Sequence, residues 1–574
     1  MKKKEIAKIF HEISDFLEME ETAFKPYAYR RAALSLAALK EDVKEIYEKG
    51  GIKALKTIPG IGEGLALKIE EYLKTGKIKY HLELKKKTPV DLQEIINIEG
   101  MGPRRAKILY EKLKIRTLKD LEKKARAHKI APLFGFGKKT EKNILEGIEF
   151  LKKSKGRSLL GDILPQVREI SDKLKELKEV EKITAVGSVI RMKETIGDVD
   201  FLIASSKPQK IMDFFVSLPG VLKVWGKGPT KASVRMEQGF DVDIRVVPKK
   251  SYGAALQYFI GSKEHNIALR NIAISKGLKL NEYGLFKGSK MIAGKDEKEI
   301  YRILGMPWIP PELRENRGEI KAAMAGKLPK LVALKDIKGD LHCHSNWNGG
   351  NNSILEMAET AQVMGYYYLG IADHTKFLKI ERGLNEKQLS QQRKEIDKLN
   401  KKFQISNLKF HVLQGAETNI LNDGSIDIRD DALAKLDYAI AGIHSNFKMP
   451  KNQMTNRIIT AIKNPNIDII SHPTGRLIKR RKEYQADFDK ILRAAQEFKV
   501  ILEINSSPQR LDLNDQHIRR CKQAGVKMVI NTDSHHRNQM EYINLGVGQA
   551  RRGWAEKEDI INTYPQKKLL RAFK

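Results

Sequence analysis

The sequence predicts a multidomain α/β protein with helical N-terminal domains, a central mixed β-sheet and a C-terminal (β/α) barrel. At 574 residues the chain is too long for one hydrophobic core, so about three to five domains are expected. Glycine-hinged helical patterns dominate the first 154 residues. From residue 335 onward, apolar strand-like runs each end in a polar or ligand-type residue and alternate with helical patterns, which is the order of an α/β barrel. The boundaries that follow are 1–85 and 86–154 for the helical domains, 155–248 for the sheet, 249–316 for a helical domain after it, 317–334 for a linker and 335–574 for the barrel.

Lys and Arg number 106 against 72 Asp and Glu, a formal net charge of +34. Such an excess suits a polyanion, and nucleic acid is the first candidate. Two cysteines, Cys343 and Cys521, argue against a disulfide framework and fit a reducing compartment. The charged, amphipathic N-terminus and the lack of any apolar run near 18 residues point to a soluble cytoplasmic protein with no membrane partner.

In the first domain Ile6, Ile9, Phe10, Ile13 and Leu17 share one helical face. The segment KTIPGIGEGLALKIEEYL then reads as a helix-hairpin-helix, with Gly60 and Gly62 in the turn. Such glycines let backbone amides approach a DNA phosphate, which positions DNA without reading its sequence. The pattern recurs at Gly100 and Gly102, and more faintly at Gly135 and Gly137.

In the central domain, AVGSVIRMKETIGDVDFLIA and FDVDIRVV hold alternating strand patterns. Period-2 geometry puts Asp198 and Asp200 on one strand face and Asp243 on the face of another. Carboxylates gathered this way repel unless divalent cations lie between them. Two Mg²⁺ roughly 3.5–4 Å apart is the arrangement for in-line phosphoryl transfer. Gly187-Ser188 forms a strand–turn–helix whose amides and hydroxyl can hold phosphate, and Arg191 follows as a neutralising cation. After the sheet, SYGAALQYFIGSKEHNIALRNIAISKG reads as a helix pair with a Gly-Ser break, followed by a short strand. Tyr258, Phe259 and Gly261 are a candidate sugar and base platform, and Asn266 and Arg270 are placed facing the same groove, although from composition alone a packed helix pair is the better reading of the aromatics.

The GS…GDVD…DIR series, the YFIGS segment and the first hairpin together resemble the family X DNA polymerases over residues 1–316. The resemblance implies Mg²⁺ or Mn²⁺ held by Asp198, Asp200 and Asp243, with dNTP and gapped or nicked DNA as partners, and a monomer is expected. It implies a nucleotidyltransferase palm over 155–248 and a thumb-like domain over 249–316. Gly187, Ser188 and Arg191 would bind the triphosphate, Tyr258, Phe259 and Gly261 would line the sugar pocket, and Asn266 and Arg270 would lie at the nascent base pair. Asp241 is a surplus carboxylate; Asp243 is preferred because the DxR register places Arg245 two residues on. A second family activity, 5′-deoxyribose phosphate removal through a Schiff base, would fall to Lys68, with Lys25 and Tyr29 in the phosphate pocket. Gly64 and Tyr80 stand where some family members carry pocket lysines.

Nine of the thirteen histidines lie beyond residue 335. His342, His344, His374 and Glu417 stand at successive strand ends, as do His444, His472, Asp533 and His535. Imidazoles with bridging carboxylates suit Zn²⁺ or Mn²⁺. The runs DLHCHS, ADHT, GAE, IHS, SHPTGR and NTDSHH resemble the polymerase-and-histidinol-phosphatase (PHP) domain. The resemblance implies metal-assisted phosphoester hydrolysis, as a 3′-5′ exonuclease, 3′-phosphatase or abasic-site endonuclease, with Arg476 and Asn505 orienting ligands or phosphate. One position departs from the pattern. Gly349 stands where the family carries an Asp, so a weakened metal and reduced hydrolysis are expected, with Asn348 a neutral substitute.

The leading reading is a DNA repair polymerase that fills short gaps and processes 3′ ends. The alternatives are a nuclease that uses the polymerase half for docking, a DNA-end scaffold without turnover, and template-independent nucleotide addition.

Overall fold

The spacing of Ile6, Phe10, Ile13 and Leu17 puts all four on the buried stripe of the first helix, Lys2–Met19, with Ile9 half-buried beside them. The structure is a computed structural model that describes residues 2–39, 41–96, 98, 101–153, 156–378 and 381–573. Helices Lys25–Ala38, Val43–Leu55, Glu63–Thr75 and Lys79–Lys87 complete the first domain, and Leu92–Ile96, Pro103–Leu113, Leu118–Arg126 and Lys138–Lys153 form the second. The two do not have separate cores. Phe10, Leu36 and Ile69 join Ile95, Leu109 and Ile144 in one apolar cluster, so the helical repeats bury their faces against each other.

The central domain is a five-stranded mixed sheet in the order Lys182–Val186, Asp198–Ala204, Asp241–Val247, Lys231–Met236, Val221–Lys227. Asp198–Ala204 and Asp241–Val247 pair in parallel and the other neighbours are antiparallel. Helices Tyr252–Ile260 and Lys263–Ser275 follow, then a three-stranded antiparallel sheet over 279–293 and the helix Glu297–Ile303. That sheet is larger than the single short strand the sequence indicates.

Residues 317–334 are not a free linker. Helix Glu319–Met324 buries Glu319, whose Oε1 lies 2.6 Å from His265 Nδ1, and Ala323 joins the core of the preceding domain. Leu328 and Leu331 pack there with Trp554 of the barrel, and Val332 enters the barrel core. The segment is a structural wedge between the two halves, because its apolar residues find cores on both sides.

The barrel strands Gly339–Cys343, Tyr368–Ile371, His411–Gln414, Ile440–Gly442, Ile469–Ile470, Ile501–Asn505 and Met528–Asn531 run parallel, with Glu417–Asn419 continuing the third. A bridge from Cys343 to Ser534 joins the first strand to the last. Leu341, Leu413, Ile440, Ile469, Ile501 and Val529 fill the interior, so this is a packed core with its chemistry at the C-terminal strand ends. Both cysteines are free and buried. Among the described residues no helix is long and apolar enough to cross a membrane.

The halves are closely joined. Leu511 and Leu545 of the barrel enter the core of the central sheet, and Arg31 of the N-terminal domain donates to Asn351 at the barrel mouth at 3.1 Å.

Candidate active sites

Asp198 and Asp200 open the strand Asp198–Ala204, and the parallel register sets Asp243 opposite Asp200 and Asp241 opposite Asp198. Asp241 is already engaged: Trp225 Nε1 donates to it at 2.9 Å and Arg235 pairs with it at 3.1 Å. Asp243 has Lys231 Nζ at 3.2 Å. Burial, and then the charges of Asp198 and Asp243, push the Asp200 carboxyl up to about 6, against the weaker pull of Lys231 and Arg191. The three carboxylates therefore behave as one electrostatic unit in need of positive charge.

Gly187 closes the other side of this unit. Its φ is +66°, and a Cβ there would stand 2.9 Å from Asp200 Oδ2, so both conformation and space call for glycine. Ser188 follows in the turn Gly187–Ile190. Arg191 is not free in the groove: its Nε donates to Glu315 Oε1 at 3.1 Å and its Nη1 to the Ile260 carbonyl.

Tyr258 and Phe259 end the helix Tyr252–Ile260, edge to face at 5.1 Å, with Gly261 following at φ +70°. Tyr258 is 36% exposed and stands open to a ligand. Asn266 differs from expectation. It is buried, donates to the Tyr258 carbonyl at 2.7 Å and accepts from Gln257 at 2.7 Å, so it ties the two helices together and does not face a groove. Arg270 is exposed, its Nε 3.3 Å from the Asn266 carbonyl.

In the first hairpin Gly60 takes φ +79° and Gly62 caps the helix Glu63–Thr75; Gly102 caps Pro103–Leu113 in the same way. A Cβ on Gly62 or Gly102 would meet nothing within 4 Å, so both turns are open to a large ligand. Gly100 lies outside the described residues. Gly135 and Gly137 take positive φ in the third turn. Lys25 is exposed at the start of its helix. Lys68 is half-buried, its Nζ 5.5 Å from the Tyr80 ring centre. Tyr29 does not line an open phosphate pocket. It is 7% exposed, packed on Phe10 and stacked at 6.4 Å on Tyr80, and burial pushes its phenol up.

At the barrel mouth all eight expected ligands converge. His342, His344, Glu417 and Asp533 offer ligand atoms within 4.8 Å of one another, as do His374, Glu417 and His444, and His344, His374 and His535. His472 Nε2 joins at 2.9 Å from Glu417 Oε1. His472 and Asp533 hold positive φ, 29° and 56°, strain of the kind found at ligand positions.

The donor chemistry fits metal ions. His342 Nε2, both ring nitrogens of His344, and Nδ1 of His374, His444 and His472 are buried without a hydrogen bond. His344 Nε2 lies 3.2 Å from Asp533 Oδ1, yet without hydrogen-bond alignment. Burial, with the charges of His535 and His374, holds His344 well below its usual range, hence neutral and able to ligate. Burial opposes ionisation of Glu417 and Asp533, but the surrounding imidazoles win and hold both carboxylates ionised.

Behind the ligands stands a shell that sequence reasoning only partly found. Glu503 Oε1 lies 2.7 Å from His342 Nδ1 and fixes that ring with Nε2 inward. Asp373 accepts from Ser345 Oγ at 2.5 Å and from Gln392 at 2.7 Å beside His374. Neither residue was given a role in the sequence reading, although Asp373 is the Asp of the ADHT run. Asn505 donates to Asp533 and Glu503, both at 3.1 Å, in the orienting position expected of it. Arg476 does not: it donates to Glu194 at 2.8 Å across the interface with the central sheet.

Known proteins resemble these parts. The DNA polymerase beta thumb family matches residues 255–315, a helix-hairpin-helix domain family 1–78, and a SAM-like helix-hairpin-helix tandem family 92–149. The DNA polymerase/3'-5' exonuclease PolX of Bacillus subtilis is 37% identical over 567 residues, covering 98% of this chain and 97% of the relative. The chain belongs to the X family of DNA polymerases. The C-terminal region of this family X polymerase is also similar to probable phosphatases. That of Thermoanaerobacter sp. strain X514 is 36% identical over 134 residues, 22% of this chain and 52% of the relative. That of Acetivibrio thermocellus is 27% identical over 213 residues, 34% and 78%. The family X chain thus joins a polymerase half to a PHP domain.

Proposed function

We propose that this family X polymerase fills short gaps in DNA at Asp198, Asp200 and Asp243, and that its PHP domain hydrolyses phosphoesters at 3′ ends. The observation that carries the reading is the register of the three carboxylates around Gly187 and Ser188. Divalent ions bound there, Mg²⁺ or Mn²⁺, would offset the carboxylate repulsion and polarise the transferring phosphoryl group. The chain itself contributes the turn amides and the Ser188 hydroxyl as phosphate donors, and Tyr258 and Phe259 as a wall for sugar and base. Arg191 is the cation for the triphosphate once it leaves Glu315. The open turns at Gly62 and Gly102 grip DNA phosphates on either side of the gap.

In the barrel, Glu503 and Asn505 hold His342 and Asp533 toward a Zn²⁺ or Mn²⁺ cluster that supplies Lewis-acid chemistry. Lys68, with no carboxylate partner among the described residues, is the amine for a deoxyribose phosphate lyase step. A cytoplasmic, monomeric repair enzyme is the setting we infer.

The test is a matched set of gapped, recessed and 3′-phosphate DNA substrates, each with and without dNTP. Insertion into the gap with dNTP and 3′-end trimming without it are expected. Binding to all three with no turnover would contradict the reading and favour a scaffold.

A further inference from the structure

Gly349 lies in the loop after the first barrel strand, at the position where the PHP pattern has a carboxylate. Its φ lies outside the left-handed range, so its backbone accepts a side chain. The space does not. A Cβ there would stand 2.8 Å from Glu381 Oε2 and 3.3 Å from His535 Cδ2. The tip of Glu381 thus occupies the place that a residue-349 side chain would take, beside a cluster histidine.

Glu381 comes from another loop, and that loop is tied to the cluster. Thr375 Oγ1 and the Phe377 amide donate to Asp427 at 2.8 and 2.9 Å, and the Leu384 amide donates to the His374 carbonyl at 2.8 Å. The turn between is closed by the amides of Glu381 and Gly383, both donating to the Leu378 carbonyl. Among the described residues the Glu381 carboxylate has no hydrogen-bond or ion-pair partner, although its charge is felt at both His374 and His535. Among the described residues, those two histidines and His344 are the one ligand group in the cluster without a carboxylate. Both ring nitrogens of His344 are buried without a hydrogen bond beside them. Three imidazoles bring no negative charge to a bound dication, whereas the other two ligand groups each include Glu417.

We propose that Glu381 supplies the carboxylate that Gly349 lacks, a metal ligand moved from one loop of the barrel mouth to another. Glycine at 349 is then the partner of glutamate at 381: the longer side chain enters only because the shorter position is vacant. The inference rests on the reading of the barrel mouth as a metal cluster, and it replaces the expectation of a weakened ion.

The experiment strips full-length protein of metal, titrates it with Mn²⁺ and counts bound ions by elemental analysis after equilibrium dialysis. It compares wild type, Glu381→Gln and the double variant Gly349→Asp/Glu381→Ala, in which the shorter residue 381 leaves room for the new carboxylate. The single variant is expected to bind one ion about 10–100-fold more weakly, with the unfolding midpoint of its metal-free form unchanged. The double variant is expected to recover the wild-type count. Wild-type binding by Glu381→Gln overturns the proposal. So does a loss that the double variant fails to restore, since the loop and not its carboxylate would then matter. A wild-type count no higher than that of His342→Ala/Asp533→Ala, which keeps the polymerase carboxylates, overturns the cluster reading itself.

Discussion

Arg191 of the polymerase turn and Glu315 form an ion pair at 3.1 Å, and the same carboxylate oxygen receives Arg552 of the barrel at 3.0 Å. Lys193 approaches the other oxygen at 3.2 Å. The cation we propose for the triphosphate is therefore held by a group that also docks the barrel. Glu315→Gln removes the competing charge, so the KM for dNTP is expected to fall about three- to tenfold with kcat for single-nucleotide insertion little changed. Steady-state insertion kinetics check this, and an unchanged KM would mean that Arg191 does not meet the nucleotide.

The same carboxylate makes stability depend on pH. Burial raises the Glu315 pKa, but Arg552, Lys193 and Arg191 outweigh it and pull it down to about 2. A depressed carboxyl contributes stability above its unfolded pKa, near 4.5, and loses it as pH falls toward 2. After solvent screening this amounts to about 1–2 kcal/mol. Thermal unfolding should show wild type above Glu315→Gln at pH 7, with the two curves converging between pH 4.5 and 2.

Glu503 is 0% exposed and touches no reacting group; it holds the His342 ring and also accepts from the His472 amide at 2.8 Å. Glu503→Gln keeps the shape but weakens its hold on the ring, and metal affinity is expected to drop about 10–100-fold. Competition with a chelator measures the loss. Affinity equal to wild type would show that the His342 ring is held by packing alone.

Lys68 carries the lyase reading. Borohydride added to wild type on incised abasic DNA is expected to trap a covalent adduct, and Lys68→Ala to abolish it while binding the DNA within about threefold of wild type. Trapping that survives in the variant assigns the amine elsewhere.

Much of this was legible in the sequence because it is local. The two-residue spacing of Asp198 and Asp200 requires one face of a strand, and the glycine at 187 reports a turn that only glycine fits. The histidines of the barrel could be read because each closes an apolar run. Glu503 escaped because a carboxylate inside ILEIN reads as an ordinary strand residue. Glu381 lies in a loop with no period, and its meaning comes from Gly349, which is remote in sequence. The ion pairs of Glu315 likewise join segments more than a hundred residues apart. Tyr29 and Asn266, placed by resemblance and by helix position, instead pack or bond inward against a neighbouring helix, a contact no local pattern shows. Residues 317–334 read as a linker because their apolar positions belong to two different cores.

The central claim is that Asp198, Asp200 and Asp243 perform templated insertion. Extension of a labelled primer on one-nucleotide-gapped DNA, with Mg²⁺ or Mn²⁺ and the complementary dNTP, measures it most directly. Asp198→Ala or Asp200→Ala is expected to lower insertion at least about 10³-fold while leaving DNA binding and 3′-end trimming intact. Insertion at the wild-type rate in either variant would contradict the account.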